Sequence, residues 1–272
     1  MSRFCLEDRV AVVTGAGSGI GEGIALGFAG VGAHIVVAEL DASKGEVTAG
    51  KVRVLGRKAL PIVVDVTLGD KVQGMVDKAL AEFGRIDILV NNVGGMHGRI
   101  APLLEMPEAM MDEVLKRNLK GTFLCSKIVG RVMTDQKRGN ITNISSGATL
   151  QPYLQNVVYC AAKAGIINFT RASAVYLAPY NIRVNCIAPG HTAIVGSAQR
   201  LPMFSGQQRA GRDGVPLGRS GYPEDMAYAA IYLASDAASC VTSIVISVDG
   251  GPPLGNIILE NAEEVWKKVS GY

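Results

Sequence analysis

Short apolar runs rich in β-branched residues alternate with longer amphipathic segments along nearly all of the 272-residue chain, and this alternation constrains the fold most strongly. Runs such as Val10–Thr14 and His34–Ala38 have the length of buried strands, and the segments between the runs have the length of helices. Strands that are apolar on both faces and separated by helices are typical of a parallel sheet covered on both sides. The sequence therefore predicts an α/β fold, with a doubly wound parallel sheet of about seven strands.

The pattern assigns each element a place along the chain. The predicted strands are Val10–Thr14, His34–Ala38, Leu60–Val64, Ile86–Val90, Asn140–Ile144, Arg183–Ala188 and Ser243–Val248. The predicted helices are Gly19–Val31, Ser43–Leu55, Asp70–Phe83, Pro107–Asp135, Val157–Ala178 and Pro223–Ala234. No linker divides them, so we expect a single domain over residues 1–272. In doubly wound sheets ligands bind at the carboxyl ends of the strands, so the segments after the strands are where chemistry is expected.

Composition excludes several classes of protein. The net charge is +3 and no run of Lys and Arg occurs, which argues against nucleic-acid binding. The five cysteines are dispersed without a CxxC pair, which indicates reduced thiols in a cytoplasmic protein and no metal-ligand cluster. No signal-peptide pattern and no 18-residue apolar stretch is present, so neither secretion nor a membrane span is expected.

A glycine-rich turn, Thr14 to Gly21 (TGAGSGIG), follows the first predicted strand and opens the first predicted helix. Glycines permit a tight turn and let the backbone approach a pyrophosphate, which the amino end of a helix attracts. A plain glycine turn is the alternative, but the position between a strand and a helix favours dinucleotide binding. The residues expected to bind the cofactor here are Gly15, Ser18, Gly19, Ile20 and Gly21.

The second predicted strand ends at Glu39, 18 residues after Gly21. A carboxylate at this point would accept hydrogen bonds from the adenosine ribose and repel the 2′-phosphate of NADP. No Lys or Arg lies in the glycine turn, and none follows Glu39 until Lys44. We therefore expect NAD as the cofactor. The alternative is that Glu39 is solvated and Asp41 binds the ribose.

Tyr159 and Lys163 are four residues apart in a helical pattern, which places them one turn apart on one face. A nearby ammonium group stabilises a phenolate, so Tyr159 is a candidate acid or base near neutral pH. Ser146 lies thirteen residues upstream of Tyr159, where a predicted strand ends, and its hydroxyl is suited to donate to a substrate oxygen. Tyr and Lys at this spacing also occur by chance, as a core residue beside a surface residue.

With these residues in place, the chain from Arg9 to about Gly251 resembles the short-chain dehydrogenase/reductase family. The glycine turn and the Ser, Tyr and Lys match its motifs at the usual spacing. Further matches to the family's segments are Asp65 and Val66, the run Asn91–Gly94, Asn118, and Pro189 with Gly190. The resemblance implies a Rossmann-type fold and hydride transfer between a secondary alcohol and a nicotinamide.

The resemblance also implies roles for individual residues. Ser146 would polarise the substrate oxygen and Tyr159 would take the hydroxyl proton. Lys163 would hold the nicotinamide ribose, and Asn118 would keep a water that relays the proton. Further cofactor contacts are implied for Asp65, Val66, Asn92, Gly94, Pro189 and Gly190. The family's hydroxyl after Pro-Gly is displaced here, so Thr192 is the candidate for the carboxamide contact.

Substrate selection is expected from the loops near Gly94 and from residues 191–221. His97, His191 and Met203 are the candidate substrate contacts, although a histidine at the edge of a cleft is more often solvated. The second loop contains Arg200, Arg209, Arg212 and Arg219, which either bind an anionic substrate or belong to a solvated loop.

Two features suggest contacts between subunits. The predicted helix Val157–Ala178 is small and apolar almost all round, so we predict burial on two sides. In the family that the chain resembles, the equivalent helices form a subunit interface, usually within a tetramer, so the resemblance implies a homotetramer. The extension at 252–272 contains a short amphipathic pattern, and it either packs on a neighbouring subunit or is a frayed tail.

Three functions remain open from the sequence. The first is an NAD-dependent dehydrogenase of a secondary alcohol. The second is an NADPH-dependent reductase of the 3-oxoacyl-carrier-protein type, against which Glu39 argues. The third is a non-catalytic dinucleotide sensor, for which a broken Tyr/Lys pair would be expected.

Overall fold

A computed structural model describes residues 3–96, 98, 100–150, 156–193 and 215–251, and seven strands in these ranges form one parallel sheet. The strands are β1 Val10–Thr14, β2 His34–Glu39, β3 Ala59–Val63, β4 Ile88–Asn91, β5 Gly139–Ile144, β6 Ile182–Pro189 and β7 Val245–Val248. Their order is β3-β2-β1-β4-β5-β6-β7, and every neighbouring pair is parallel. The predicted doubly wound α/β sheet is confirmed.

Helices cover both faces of this sheet. They are α1 Gly19–Gly30, α2 Ala42–Val54, α3 Gly69–Phe83, α4 Glu108–Leu115, α5 Gly121–Gln136, α6 Val157–Leu177 and α7 Pro223–Ala234. Alternate residues of β1 enter two separate cores, Ala11 and Val13 on the side of α1 and α7, and Val10 and Val12 on the side of α3 and α5. This alternation explains why the strands are apolar on both faces. None of the helices in the described ranges is long and apolar enough to cross a bilayer.

The strand order reverses between β1 and β4. The chain first builds outward from β1 through β2 to β3, and then returns to place β4 on the other side of β1. The crossovers after these two strands lead to opposite faces, so a crevice opens at their carboxyl ends. This crevice is where the fold places a ligand.

Two predicted strand starts lie two residues too early, and local contacts and backbone geometry explain them. The main chain of Ile86 is paired in both directions with the Gln136 side chain rather than with a neighbouring strand, so β4 begins at Ile88. Ser243 has a left-handed backbone (φ 68°), which interrupts extended structure, so β7 begins at Val245.

The long helix predicted near Pro107–Asp135 contains a π-helical turn, Lys116–Lys120, between α4 and α5. Asn118 lies in this turn and is fully buried. Its side-chain nitrogen donates to the Val114 carbonyl at 2.9 Å, and the Thr122 hydroxyl donates to the Asn118 carbonyl at 3.0 Å. Single π turns inside α-helices frequently mark functional sites.

Several sequence predictions fall outside the described residues. These are the substrate contacts His97 and Met203, the loop arginines Arg200, Arg209 and Arg212, and the extension at 252–272.

Candidate active site

A cleft of about 580 Å³ lies at the carboxyl edge of the sheet. Its walls come from the segments that follow six of the strands, which is why residues far apart in sequence meet there. The predicted site residues that line it are Gly15, Ser18, Gly19, Ile20, Glu39, Asp65, Val66, Asn92, Gly94, Ser146, Tyr159, Lys163, Pro189, Gly190 and Thr192. The cleft therefore brings the predicted cofactor and catalytic residues together, with Gly21 and Asn118 packed behind its walls.

The glycine turn has the shape that close approach of an anion requires. Gly15 and Gly19 adopt left-handed backbone conformations (φ 63° and 57°), which favour glycine. A Cβ atom on Gly21 would lie 2.1 Å from the Gly15 carbonyl oxygen, so a larger residue cannot fit without moving the turn. Ser18 precedes α1 without capping it through its side chain, which leaves the first N–H groups of α1 to a ligand.

The carboxylate of Glu39 is held by three backbone N–H groups. Oε2 accepts a hydrogen bond from Gly17 at 2.9 Å, and Oε1 accepts from Leu40 at 2.8 Å and from Asp41 at 3.3 Å. Asp41 instead caps α2, where its Oδ1 accepts from the N–H groups of Ser43 and Lys44. Glu39 lines the cleft, and Asp41 is not among the residues that do. This arrangement favours Glu39 over Asp41 as the ribose ligand.

Asp65 carries a negative charge at the same end of the cleft. Burial disfavours that charge, but hydrogen bonds from Thr67 and the nearby cations Lys116 and Arg117 outweigh it, so the pKa of Asp65 lies below its usual value. The Thr67 N–H donates to Asp65 Oδ1 at 2.9 Å. Asp65 is therefore an ionised acceptor at neutral pH, suited to an amine or hydroxyl donor.

Lys163 brings a cation into the protein interior. Its side chain is buried, its Nζ donates to the Ile144 carbonyl at 3.0 Å, and it lies 5.7 Å from the ring centroid of Tyr159. Burial lowers the pKa of Lys163 to about 8. Ser146 is 8% exposed and its Oγ accepts from the Ala148 N–H at 3.1 Å, which leaves the hydroxyl hydrogen to donate.

The side chain of Asn118 binds the loop that follows β4. Its Oδ1 accepts from the Gly95 N–H at 2.9 Å, and its Nδ2 donates to the Gly95 carbonyl at 3.2 Å. A Cβ atom on Gly94 would lie 2.6 Å from Asn118 Oδ1 and 2.9 Å from Lys163 Nζ. Asn118 therefore holds the loop that forms this wall of the cleft, although it is not itself among the lining residues. Its role in a water relay stays a prediction.

The predicted carboxamide contact Thr192, the predicted substrate contact His191 and the loop residue Arg219 are placed differently from one another. Thr192 lines the cleft, with its hydroxyl donating to the Gly190 carbonyl at 3.2 Å. His191 is exposed, its ring is 2.9 Å from the Ser220 hydroxyl, and it is not among the residues that line the cleft. Arg219 makes a two-point ion pair with Asp225, at 2.7 and 2.9 Å, so its guanidinium is already engaged with a carboxylate.

Several cleft residues were not predicted from the sequence, among them one serine and two cations. Ser145, Lys116 and Arg117 line the cleft beside predicted residues. Ser145 directly precedes Ser146, and the two cations directly precede Asn118, so adjacency to a motif was the available signal. Lys116 and Arg117 lie in the π turn, which the periodicity of this segment does not predict.

Replacing Lys163 with Met tests the burial of its charge. Because the folded-state pKa is depressed, the unfolded chain binds more protons between about pH 8 and 10.5, so wild-type stability rises with pH across that window. A neutral side chain avoids the penalty, and we expect Lys163→Met to be about 2–3 kcal/mol more stable at pH 7, with the gain vanishing above pH 10.5. Denaturant unfolding against pH measures it. Lys127→Met, on the exposed surface of α5, is the control, and a Lys163→Met gain that is independent of pH would contradict the buried charge.

Comparison with known proteins agrees with this geometry. A family model described as enoyl-(acyl carrier protein) reductase matches residues 15–252. A (2S)-[(R)-hydroxy(phenyl)methyl]succinyl-CoA dehydrogenase subunit from Thauera aromatica is 40% identical over 92% of this chain and 98% of its own. A 3-oxoacyl-[acyl-carrier-protein] reductase from Thermotoga maritima is 38% identical over 90% and 98%.

Among solved structures, an NAD⁺-bound xylitol dehydrogenase superposes with a TM-score of 0.83 at 33% identity, over 90% of this chain and 99% of that chain. Identity of this level over nearly the full length of both chains shows common family as well as common fold. The chain belongs to the short-chain dehydrogenase/reductase family, whose members act on CH–OH groups.

Proposed function

We propose that this protein is an NAD-dependent dehydrogenase of secondary alcohols in which Tyr159 is the general base. The observation that carries the proposal is the cleft itself, which places Ser146, Tyr159 and Lys163 at one end and Glu39 with the glycine turn at the other. An acidic end suits ribose hydroxyls, a helix amino end suits a pyrophosphate, and the tyrosine end suits proton transfer.

The residues present fit a nicotinamide dinucleotide. Gly15, Gly19 and the uncapped start of α1 would hold the pyrophosphate, and Glu39 would hold the adenosine ribose. Lys163 and Thr192 would hold the nicotinamide half. When bound, the nicotinamide supplies the hydride acceptor, and the chain itself supplies position and proton transfer.

The proton chemistry follows from the charges around Tyr159. The Lys163 ammonium beside the ring favours the phenolate, which can take the proton of a substrate hydroxyl. The Ser146 hydroxyl donates to the same substrate oxygen and holds it in place. Burial of Lys163 keeps water from competing for its charge, and the Ile144 carbonyl fixes the position of its Nζ.

The preference for NAD over NADP rests on Glu39. Its carboxylate is fixed by three N–H groups and would repel a 2′-phosphate at that position. The NAD⁺-bound xylitol dehydrogenase relative supports the same choice. The second candidate is an NADPH-dependent reductase of 3-oxoacyl carrier-protein substrates, which the Thermotoga maritima relative and the presence of Lys44 at the ribose end favour.

We further propose that one catalytic domain spans the chain and that four copies assemble in the cytoplasm. Large apolar side chains are exposed on the outer faces of α5 and α6, among them Phe123 (47%), Val175 (75%) and Tyr176 (74%). Exposed apolar surface of this kind marks an interface. Light scattering at micromolar concentration should give the mass of four chains, and a monomer mass would exclude the tetramer.

Turnover on a panel of alcohols tests the catalytic assignment. We expect NADH formation from at least one of xylitol, cyclohexanol, glycerol, 3-hydroxybutyrate and cis-4-hydroxycyclohexanecarboxylate. Tyr159→Phe should lose at least about a hundredfold in kcat because it lacks the base. Tyr228→Phe, on the exposed surface of α7, is the matched control and should keep wild-type turnover. If Tyr159→Phe stays active, Tyr159 is not the base; if NAD binds and no substrate reacts, the sensor function gains support.

Substitution of Glu39 tests cofactor choice. In Glu39→Ser the Gly17, Leu40 and Asp41 N–H groups lose their carboxylate and become donors to an anion, with Lys44 nearby. We expect kcat/KM for NAD to fall about tenfold or more and kcat/KM for NADP to rise. Asp41→Ser keeps a helix-capping side chain and should leave the NAD to NADP ratio unchanged. A wild-type enzyme that works only with NADP(H) would make the carrier-protein reductase the leading function.

A further inference from the structure

We propose that Ser145 is a positioning residue for the reaction, holding the main chain of Lys163 at a fixed distance from Ser146. The inference rests on the function proposed above, in which Tyr159 and Lys163 carry out proton transfer. Ser145 itself acts through Lys163 rather than on the substrate.

Ser145 connects three elements at the end of β5. Its side chain is buried, with 3% of the residue exposed, and its Oγ donates to the Lys163 carbonyl at 2.9 Å. Its own N–H donates to the Ile187 carbonyl of β6 at 2.8 Å, which fixes the Ser145 backbone to the sheet. Because the sheet fixes the end of β5, this hydrogen bond also fixes the position of α6 at Lys163, the residue that carries the ammonium group.

A second bond runs in the opposite direction. Lys163 Nζ donates to the Ile144 carbonyl at 3.0 Å, one residue before Ser145. Lys163 is thus held twice by the same strand end, by its side chain at Ile144 and by its main chain at Ser145. These two hydrogen bonds, one accepted by the Lys163 carbonyl and one donated by its Nζ, hold α6 in position against the end of β5.

The start of the catalytic turn is held differently. Asn156 Oδ1 accepts the Tyr159 N–H at 3.3 Å and caps α6, so it shapes the helix without connecting it to the sheet. Farther along, the Asn143 side chain of β5 donates to the Thr170 hydroxyl at 2.9 Å. Of these three bonds, only that of Ser145 connects the sheet to a residue of the proposed catalytic pair.

The position of Lys163 matters because its charge acts on Tyr159 over a short range. The ammonium lies 5.7 Å from the ring centroid, and its effect on the phenol falls as that separation grows. Ser146, on the next residue of the same strand end, must meet the same substrate oxygen as Tyr159. A displacement of α6 relative to the end of β5 therefore alters both the charge on the base and its alignment with Ser146.

Ser145→Ala tests the proposal, with Ser126→Ala as the matched control. Ser126 is a buried serine of α5 whose hydroxyl accepts from Asn91 Nδ2 at 2.8 Å, at the end of β4. In alcohol oxidation with NAD, using the best alcohol of the panel, Ser145→Ala should lower kcat about tenfold and leave KM for NAD within about twofold. The acid limb of its kcat profile should move to higher pH by about half a unit, because Tyr159 then ionises less readily.

Ser145→Thr keeps a hydroxyl, so the acid limb of its kcat profile should lie at the same pH as in the wild type. An unchanged limb in Ser145→Ala, or an equal shift in Ser126→Ala, would overturn the proposal. Tyr159→Phe separates this failure from that of the proposed function, because full activity in Tyr159→Phe would remove the premise itself.

If Ser145→Ala folds poorly, a second variant of the same residue tests the proposal. Ser145→Cys replaces the hydroxyl with a weak donor of similar shape, and the limb should lie between those of Ser145→Ala and wild type. Ultraviolet titration of tyrosinate, with Tyr159→Phe in the same background subtracted, gives the Tyr159 ionisation without turnover. A Tyr159 titration in Ser145→Cys that matches wild type would overturn the proposal.

Discussion

The hydrogen bond between the buried Lys163 ammonium and the Ile144 carbonyl ties the cleft to the sheet. An ammonium in the interior is unfavourable unless it is paired, and here a main-chain carbonyl at a strand end provides the partner. That carbonyl is in place because β5 pairs with parallel neighbours on both sides, which fixes its carboxyl end. The sheet is therefore what allows a cation to be held beside Tyr159.

At the other end of the cleft, backbone N–H groups stabilise negative charge. The start of α1 and the glycine turn present donors with no side chain in the way, and three further N–H groups hold Glu39. One elongated cleft thus has a cation and a phenol at one end and a fixed carboxylate at the other. In the proposed function, this polarity would give a dinucleotide a single orientation, with the adenosine half on Glu39 and the nicotinamide half beside Tyr159.

Much of the fold could be predicted because local pattern determined it. Runs such as Val10–Thr14 are buried on both faces, so their length and apolarity give their ends directly. The lining of the cleft could also be predicted, because in a parallel sheet the segments that follow the strands converge on one edge.

What could not be predicted depends on contacts between residues far apart in sequence. Gln136 takes the main-chain bonds of Ile86 fifty residues away, and Ser145 reaches Lys163 eighteen residues along. Ser220 engages His191, and Asp225 engages Arg219, which directs both predicted ligands to other partners. The π turn at Asn118 depends on how the buried Asn118 side chain packs and bonds. The periodicity of the local sequence does not reveal that packing.

In the proposed function, a hydride passes directly from a substrate carbinol to the nicotinamide in this cleft. The most direct test is to oxidise an alcohol deuterated at the carbinol carbon and to analyse the reduced cofactor by mass spectrometry and NMR. Direct transfer would give one deuterium at C4 of the nicotinamide, on a single face. Reduced cofactor without deuterium would contradict direct transfer and, with it, the assignment of the cleft as the site of the reaction.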